Sequence, residues 1–289
     1  MQLRRAPLAA LAVSSALALA GCGSSTPGGA ERPAGPATSA ATSPAPSAPS
    51  APSASILTRA QAANAVISLA DLGSGFKVDH DNGGGASDLG CLDDIDKLLK
   101  QEGVDDDPGA SDSEHDAQYK AATGIGMPFV LSTVDSERST SQIHLGFALI
   151  EKALRTCRHV DTTDDSGAHL QLAITTDRTV SKGADDQLNL SANGQMSLPG
   201  PNGQTLTVPF YLRVDFAQVG NNLAMVGYGS MVARSEGDQD AEGLTEFAIA
   251  RLKAVASGTP VPTAPDFGLR KITIADLLDG LSGGSTGSV

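Results

Sequence analysis

Residues Thr205–Val219 read TLTVPFYLRVDFAQV, and beyond Gly220-Asn221-Asn222 the chain runs on from Leu223 to Val232 as LAMVGYGSMV. In the first run Leu206, Val208, Phe210, Leu212, Val214 and Phe216 fall on alternate positions. That is the period of a strand with one face in a core. The second run is apolar throughout, and the Gly-Asn-Asn between them is a hairpin signal. Two long antiparallel strands in tandem predict a sheet, so the flanking elements decide what covers it.

Upstream, His169–Thr175 alternates, with Leu170, Leu172 and Ile174 on one face. Gln187–Ser191 is a shorter candidate strand, and Gly126–Val134 is apolar and strand-like. Helical periodicity is clearest over Glu137–Cys157, where Ile143, Phe147, Ile150, Leu154 and Cys157 make one stripe. Arg59–Leu72 reads as a helix with Thr58 as N-cap and with Val66, Leu69 and Leu72 on one side, until Gly73 and Gly75 break it. Leu92, Ile95, Leu98 and Leu99 give a short amphipathic helix, and Leu244, Phe247, Ala248, Leu252 and Val255 mark a last one. Asp81–Gly85 reads as a turn, and Glu102–Asp116, Asp-rich around Pro108, as a solvated loop. The order predicts an α+β fold: an antiparallel sheet flanked by helices, one domain over residues 56–257. Residues 258–289 read as a linker and tail, with an amphipathic turn or two over Leu269–Leu281. No internal repeat is present.

The start of the chain follows a different grammar. Arg4 and Arg5 precede an Ala/Leu/Val run from Ala6 to Ala20 interrupted only by Pro7, Ser14 and Ser15, and Leu19-Ala20-Gly21-Cys22 closes it. This run is short for a membrane span, which needs about 20 apolar residues. A basic n-region, an apolar core and a small-residue cleavage site in this order make a signal peptide over residues 1–21. The general secretory route suits Pro7 better than twin-arginine export. The last four residues look like a lipobox, which in bacterial lipoprotein precursors directs diacylglyceryl modification of the cysteine and cleavage before it. Cys22 is thus the expected lipidation site, bearing acyl chains such as palmitate. Two chains hold a protein stably where one does not. Residues 22–55 are the lipidated cysteine and a tether, nearly all Ala, Pro, Ser, Thr and Gly, that cannot build a core. It spans about 30 Å as a coil and about 100 Å in extended polyproline form. The chain is expected on the extracytoplasmic face of a cell membrane.

The formal net charge is −13, from 33 acids against 20 lysines and arginines, and the leader removes two arginines and no acid. Such a domain is repelled by phosphate backbones and anionic headgroups, so no nucleic acid is expected as partner. Solubility alone accounts for the acidity. With lipid on Cys22, Cys91 and Cys157 remain, and outside the cytosol such a pair is expected to form a disulfide. It would close a loop of roughly 66 residues, worth about 4 kcal/mol in the chain-entropy account.

The opening helix ending Ser68-Leu69-Ala70-Asp71-Leu72, then Gly75-Phe76-Lys77-Val78, Gly90-Cys91 before a short helix, and Cys157 closing a long one form a recognisable set. With the late strand pair and its following helix, the chain resembles exported lipoproteins of actinobacteria with a domain related to the extracellular sensor domain of the mycobacterial receptor kinase PknH. The resemblance covers roughly Ser55–Gly258. It implies a helix-flanked antiparallel sheet with a cleft, used as a ligand-sensing module. Two features depart from it: one disulfide is available where the kinase domain carries two, and no kinase accompanies the domain here.

Signatures of catalysis and metal binding are weak. Gly-x-Ser-x-Gly occurs only as Gly283–Gly287, in the tail, with no triad partners after it. His80, His115, His144, His159 and His169 have no metal-ligand spacing, and surface or cap roles suit His144 and His159. Asp79-His80-Asp81-Asn82-Gly83-Gly84 begins like a calcium loop, but the twelfth position, where a glutamate is required, is Gly90. Asp93, Asp94, Asp96 and Asp105–Asp107 read as solvated charges, and Asp164-Asp165 and Asp185-Asp186 as turn residues. Met127, Phe129, Met225 and Tyr228 sit at strand spacing and read as core. Saccharide stacking is disfavoured by three Tyr and no Trp. No catalytic residue, cofactor or metal is expected. The expected role is a non-enzymatic ligand-binding or sensor-like domain, with a structural or interaction lipoprotein of an envelope complex as the alternative. Its ligand would be a small molecule or an envelope protein, and its oligomeric state is not legible. Replacing Cys22→Ser is expected to leave the precursor uncleaved or release it from the membrane, read by fractionation and electrophoretic mobility.

Overall fold

The computed structural model describes residues 56–79, 114–137, 139–163, 167–199, 205–273 and 275–276. Thr205–Val219 is one unbroken strand, β7, and its alternation is the axis of the fold. Seven more strands join it: β1 (Phe76–Val78), β2 (His115–Ala121), β3 (Phe129–Ser136), β4 (His159–Thr163), β5 (His169–Asp177), β6 (Asp186–Pro199) and β8 (Asn222–Ser230). They form one antiparallel sheet in the order β1-β2-β3-β8-β7-β6-β5-β4. β7 pairs with β8 through the Gly220-Asn221 turn, with Val219 opposite Asn222. Gly220 takes a left-handed φ of 59° there, which a residue with a Cβ adopts only at a cost.

Three helices occur among the described residues: α1 (Arg59–Ala65), α2 (Thr140–Leu154) and α3 (Arg234–Ser257). Even-numbered residues of β7 enter one core. Val208, Phe210, Leu212, Val214 and Phe216 cluster with Ile143, Phe147, Ile150 and Leu154 of α2, and Phe147 meets Phe216 edge-on at 6.4 Å. Odd-numbered residues of β7, and the β8 residues opposite them, enter the layer under α3. Tyr211, Val226 and Tyr228 pack against Leu244, Phe247 and Ala248, and Ala217 and Ala224 pack against α1 and the end of α3. Gly237 allows α3 to lie directly on the Tyr211 ring, which a Cβ at that position would strike.

Several elements differ from the sequence reading. α1 stops at Ala65, seven residues before Leu72, because the sheet captures the next backbone groups. The Ile67 N–H donates to Ser132 Oγ at 3.0 Å, and its carbonyl accepts from the Tyr119 hydroxyl. Thr58 does cap α1, in a reciprocal capping box with Gln61. α2 begins at Thr140, capped by Ser139, because the Glu137 N–H still extends the sheet by donating to the Asn221 carbonyl. The loop expected up to Asp116 ends earlier, since His115 and Asp116 belong to β2. β6 is longer than Gln187–Ser191 and runs from Asp186, which is therefore a strand residue rather than a turn residue. β1 and β4 have no counterpart in that reading. The expected helix around Leu92–Leu99 and the turn at Asp81–Gly85 lie outside the described residues.

After α3 the chain forms no helix or strand through Thr273, yet it packs as a strap. Phe267 meets Phe247 edge-on at 5.6 Å on the α3 side. Lys271 then donates to the Ser74 carbonyl at 2.7 Å, and Ile272, 3% exposed, enters the α2-side core with its N–H on the Met127 carbonyl. Gly237→Ala is expected to destabilise the protein by about 1–3 kcal/mol by forcing α3 off Tyr211, measured as a lowered urea midpoint.

Candidate functional site

α3 and α1 cover only part of their side of the sheet. Over β7 and β8 this layer is polar but tied up. The Tyr211 hydroxyl donates to Asp238 at 2.5 Å and the Tyr228 hydroxyl to Asp240 at 2.6 Å. Arg213 Nε donates to Asp215 at 2.7 Å, and the other Asp215 oxygen accepts from the Thr245 hydroxyl. Burial raises Asp215 above the ordinary carboxylate range, against the opposing pull of the Arg213 charge. Burial, then the hydrogen bond to its aspartate, raises both tyrosines. Each group has its partner, which is the signature of a structural polar layer.

Past β7 the same side of the sheet is open and polar. Register places Asp161, Gln171, Gln195 and Pro209 in one row, and Thr163, His169, Ser197 and Thr207 in the next. Here His169 lies between two partners: its Nδ1 is 2.9 Å from the Thr163 hydroxyl, and its Nε2 is 3.3 Å from Asp161. Carboxylate, imidazole and hydroxyl in that order have the chemistry of a nucleophile relay. The Asp161 side chain is 65% exposed, however, and Thr163 is exposed as well. The trio stands in water, without the desolvation that gives such relays their force. The sequence reading missed it because the three residues lie on two strands that only the register brings together.

The other expected residues resolve as follows. Cys22 and Cys91 lie outside the described residues, while Cys157 is 1% exposed in the α2-side core. His80, the acids Asp93, Asp94, Asp96, Asp105–Asp107, Asp164 and Asp165, and Gly283–Gly287 also lie outside. Asp79 pairs with Lys120 at 2.5 Å. The Asp185 carboxylate accepts from the Gly220 N–H at 2.6 Å and steadies the hairpin. His144 and His159 are exposed on the surface. Met127, Met225 and Tyr228 are core residues, and Phe129 packs against the core partly buried. Among the described residues no group of three or more His, Cys, Asp or Glu is placed to hold a metal, and no helix is long and apolar enough to cross a membrane.

Two further features were not anticipated. One is a shallow notch between the last turns of α2 and β5, lined by Glu151, Leu154, Arg155, Arg158, Thr175 and Thr176 among others. A run of basic residues at the end of a helix in an acidic chain was its sequence signal. The other is a pair of acids, Asp135 and Glu137, each 2% exposed, where β3 runs toward α2.

No family model and no curated protein matches the chain. Among solved structures, the chain is similar to the extracellular domain of PknH from Mycobacterium tuberculosis. The TM-score is 0.44 at 8% sequence identity, over 71% of this chain and 99% of that one.

Burial, then the charge of Asp135 and a hydrogen bond to it, push the Glu137 carboxyl from its ordinary 4.5 up to about 8. The folded state therefore keeps a proton that the unfolded chain releases above 4.5. The stability this group contributes is complete below pH 4.5 and is lost as the pH climbs through about 8. Urea midpoints of the native chain are expected to fall across this window, and Glu137→Gln is expected to flatten the fall.

Proposed function

We propose that the chain is a lipoprotein, anchored through lipid on Cys22 to the extracytoplasmic face of a cell membrane, whose folded domain is a non-enzymatic ligand-binding or sensor-like module. The observation that carries this reading is the order of the first 55 residues. A basic n-region, an apolar core and Leu19-Ala20-Gly21-Cys22 lead into a stretch that cannot build a core. That stretch ends where packing begins, since Leu57 is 2% exposed and its N–H is bonded to Ser136 Oγ at 3.1 Å. The tether would hold the domain clear of headgroups that repel its acidic surface.

A binding role is supported by how the polar groups are spent. Tyr211, Arg213, Asp215, Tyr228 and Thr245 beneath α3 are paired within the protein, whereas the rows from Asp161 to Thr207 and the notch beside β5 face solvent. The open polar face over β4, β5 and β6 also favours a second reading, a structural or interaction lipoprotein that contacts an envelope protein there. A Cys91–Cys157 disulfide belongs to the proposal as well, supported by the burial of Cys157 in a core that an exported protein would fold in an oxidising compartment.

Native mass spectrometry of the chain, produced in an oxidising compartment and purified gently, tests the binding role. A retained mass that leaves on denaturation is the expected result. A bare chain would move the reading to the interaction role. Thiol labelling without reductant is expected to leave Cys91 and Cys157 unmodified, and modification of both would remove the disulfide.

A further inference from the structure

We propose that the notch between the end of α2 and β5 is a binding site for an oxyanion carrying two negative charges, such as the phosphate of a monoester. The first ground is the state of the two arginines. Arg155 and Arg158 both line the notch, and neither guanidinium makes a hydrogen bond or an ion pair with a described residue. The one carboxylate in the lining, Glu151, is engaged by Arg178 at 3.3 Å, and Arg178 is itself held at 3.3 Å from Asp186 and over the Phe147 ring. Its charge is thus answered elsewhere, leaving the notch with two uncompensated cations.

The second ground is the backbone of β5. β4 pairs with β5 only as far as His159 opposite Ala173, and the Ile174 N–H then donates to the Arg158 carbonyl at 2.8 Å. Alternate residues of an antiparallel strand aim their backbone groups to the same side. The N–H and C=O of Thr176 therefore point the way those of Ile174 do, into the notch, where the chain has turned away into α2 and no strand stands beside them. An unpaired strand N–H, the hydroxyl of Thr176, and two planar guanidiniums form a donor set suited to phosphate oxygens. Placing arginines to offset the negative end of the helix dipole would account for their charge. It would account neither for the notch nor for the unpaired Thr176 amide.

This inference names a ligand class for the binding role proposed above and rests on that role. Its test is an amide NMR titration of the whole chain carrying Cys22→Ser with inorganic phosphate, with acetate as the second probe. Saturable shifts confined to Arg155, Arg158, Thr175 and Thr176 at millimolar phosphate are expected. Arg155→Ala and Arg158→Ala are each expected to weaken them about tenfold, whereas Arg270→Ala leaves them unchanged. Arg155 and Arg158 are surface residues, so an unchanged melting temperature verifies the fold of each variant. Shifts that scatter over the surface, fail to saturate or persist in both variants would overturn the site. Equal saturation by acetate would overturn the dianion assignment. A mass retained in native spectrometry alongside no phosphate response would sink this site and leave the binding role standing.

Discussion

The ion pair between Arg213 and Asp215 fixes what β7 can do. Their 2.7 Å contact lies on the same face as Tyr211 and Ala217, with Asp215 fully buried and tied to Thr245 of α3. The opposite face of that strand is Val208, Phe210, Leu212, Val214 and Phe216. One strand thus separates two cores of different chemistry, one hydrocarbon and one hydrogen-bonded. A slip of one residue would drive the charged pair into the hydrocarbon and the phenylalanines against the aspartates of α3. A buried, fully satisfied polar network costs more to misplace than an apolar contact, so register becomes all-or-none. The long pairings of β6 and β8 with β7 inherit that register, and the rest of the sheet is built outward from them.

From this follows the asymmetry that matters for function. α3 crosses β7 and β8, whereas β4, β5 and β6 face solvent on that side with hydroxyls, amides and two histidines. An antiparallel sheet tolerates this, because its backbone is satisfied within the ladder and only side chains meet water. The protein therefore has a sealed half that supplies stability and an open half free to carry recognition. His169 between Thr163 and Asp161 belongs to the open half.

The sealed half was legible in the sequence and the open half was not. β7 shows as alternation because its inner residues are large and apolar. α2 shows because five such residues return every third or fourth position. β2 and β4 read as His-Asp-Ala-Gln-Tyr-Lys-Ala and His-Val-Asp-Thr-Thr, too polar to signal burial, because they lie toward the margins of the sheet. The far half of β6 was missed because its face opposite Met196 carries Asn193, Gln195 and Ser197, which look like a loop until a neighbouring strand pairs them. The end of Arg59–Leu72 was misjudged because Ser132 and Tyr119, distant in sequence, outbid helix propensity for the Ile67 backbone. As for sites, the proposed lipidation at Cys22 rests on local order alone. The notch depends on where β4 stops pairing with β5, which no local pattern encodes.

The strap imposes an order on folding. Lys271 and Ile272 are nearly the last described residues, yet they close contacts with Ser74 and Met127, more than a hundred positions earlier in the chain. A polypeptide emerges amino-terminus first, so the α2-side core stays short of Ile272 until almost all of the sheet is already available. Until then apolar side chains around Met127 remain open to chaperones and proteases alike. A chain interrupted just before Lys271 would carry every described strand and still lack its seal, and such a product is a natural substrate for quality control.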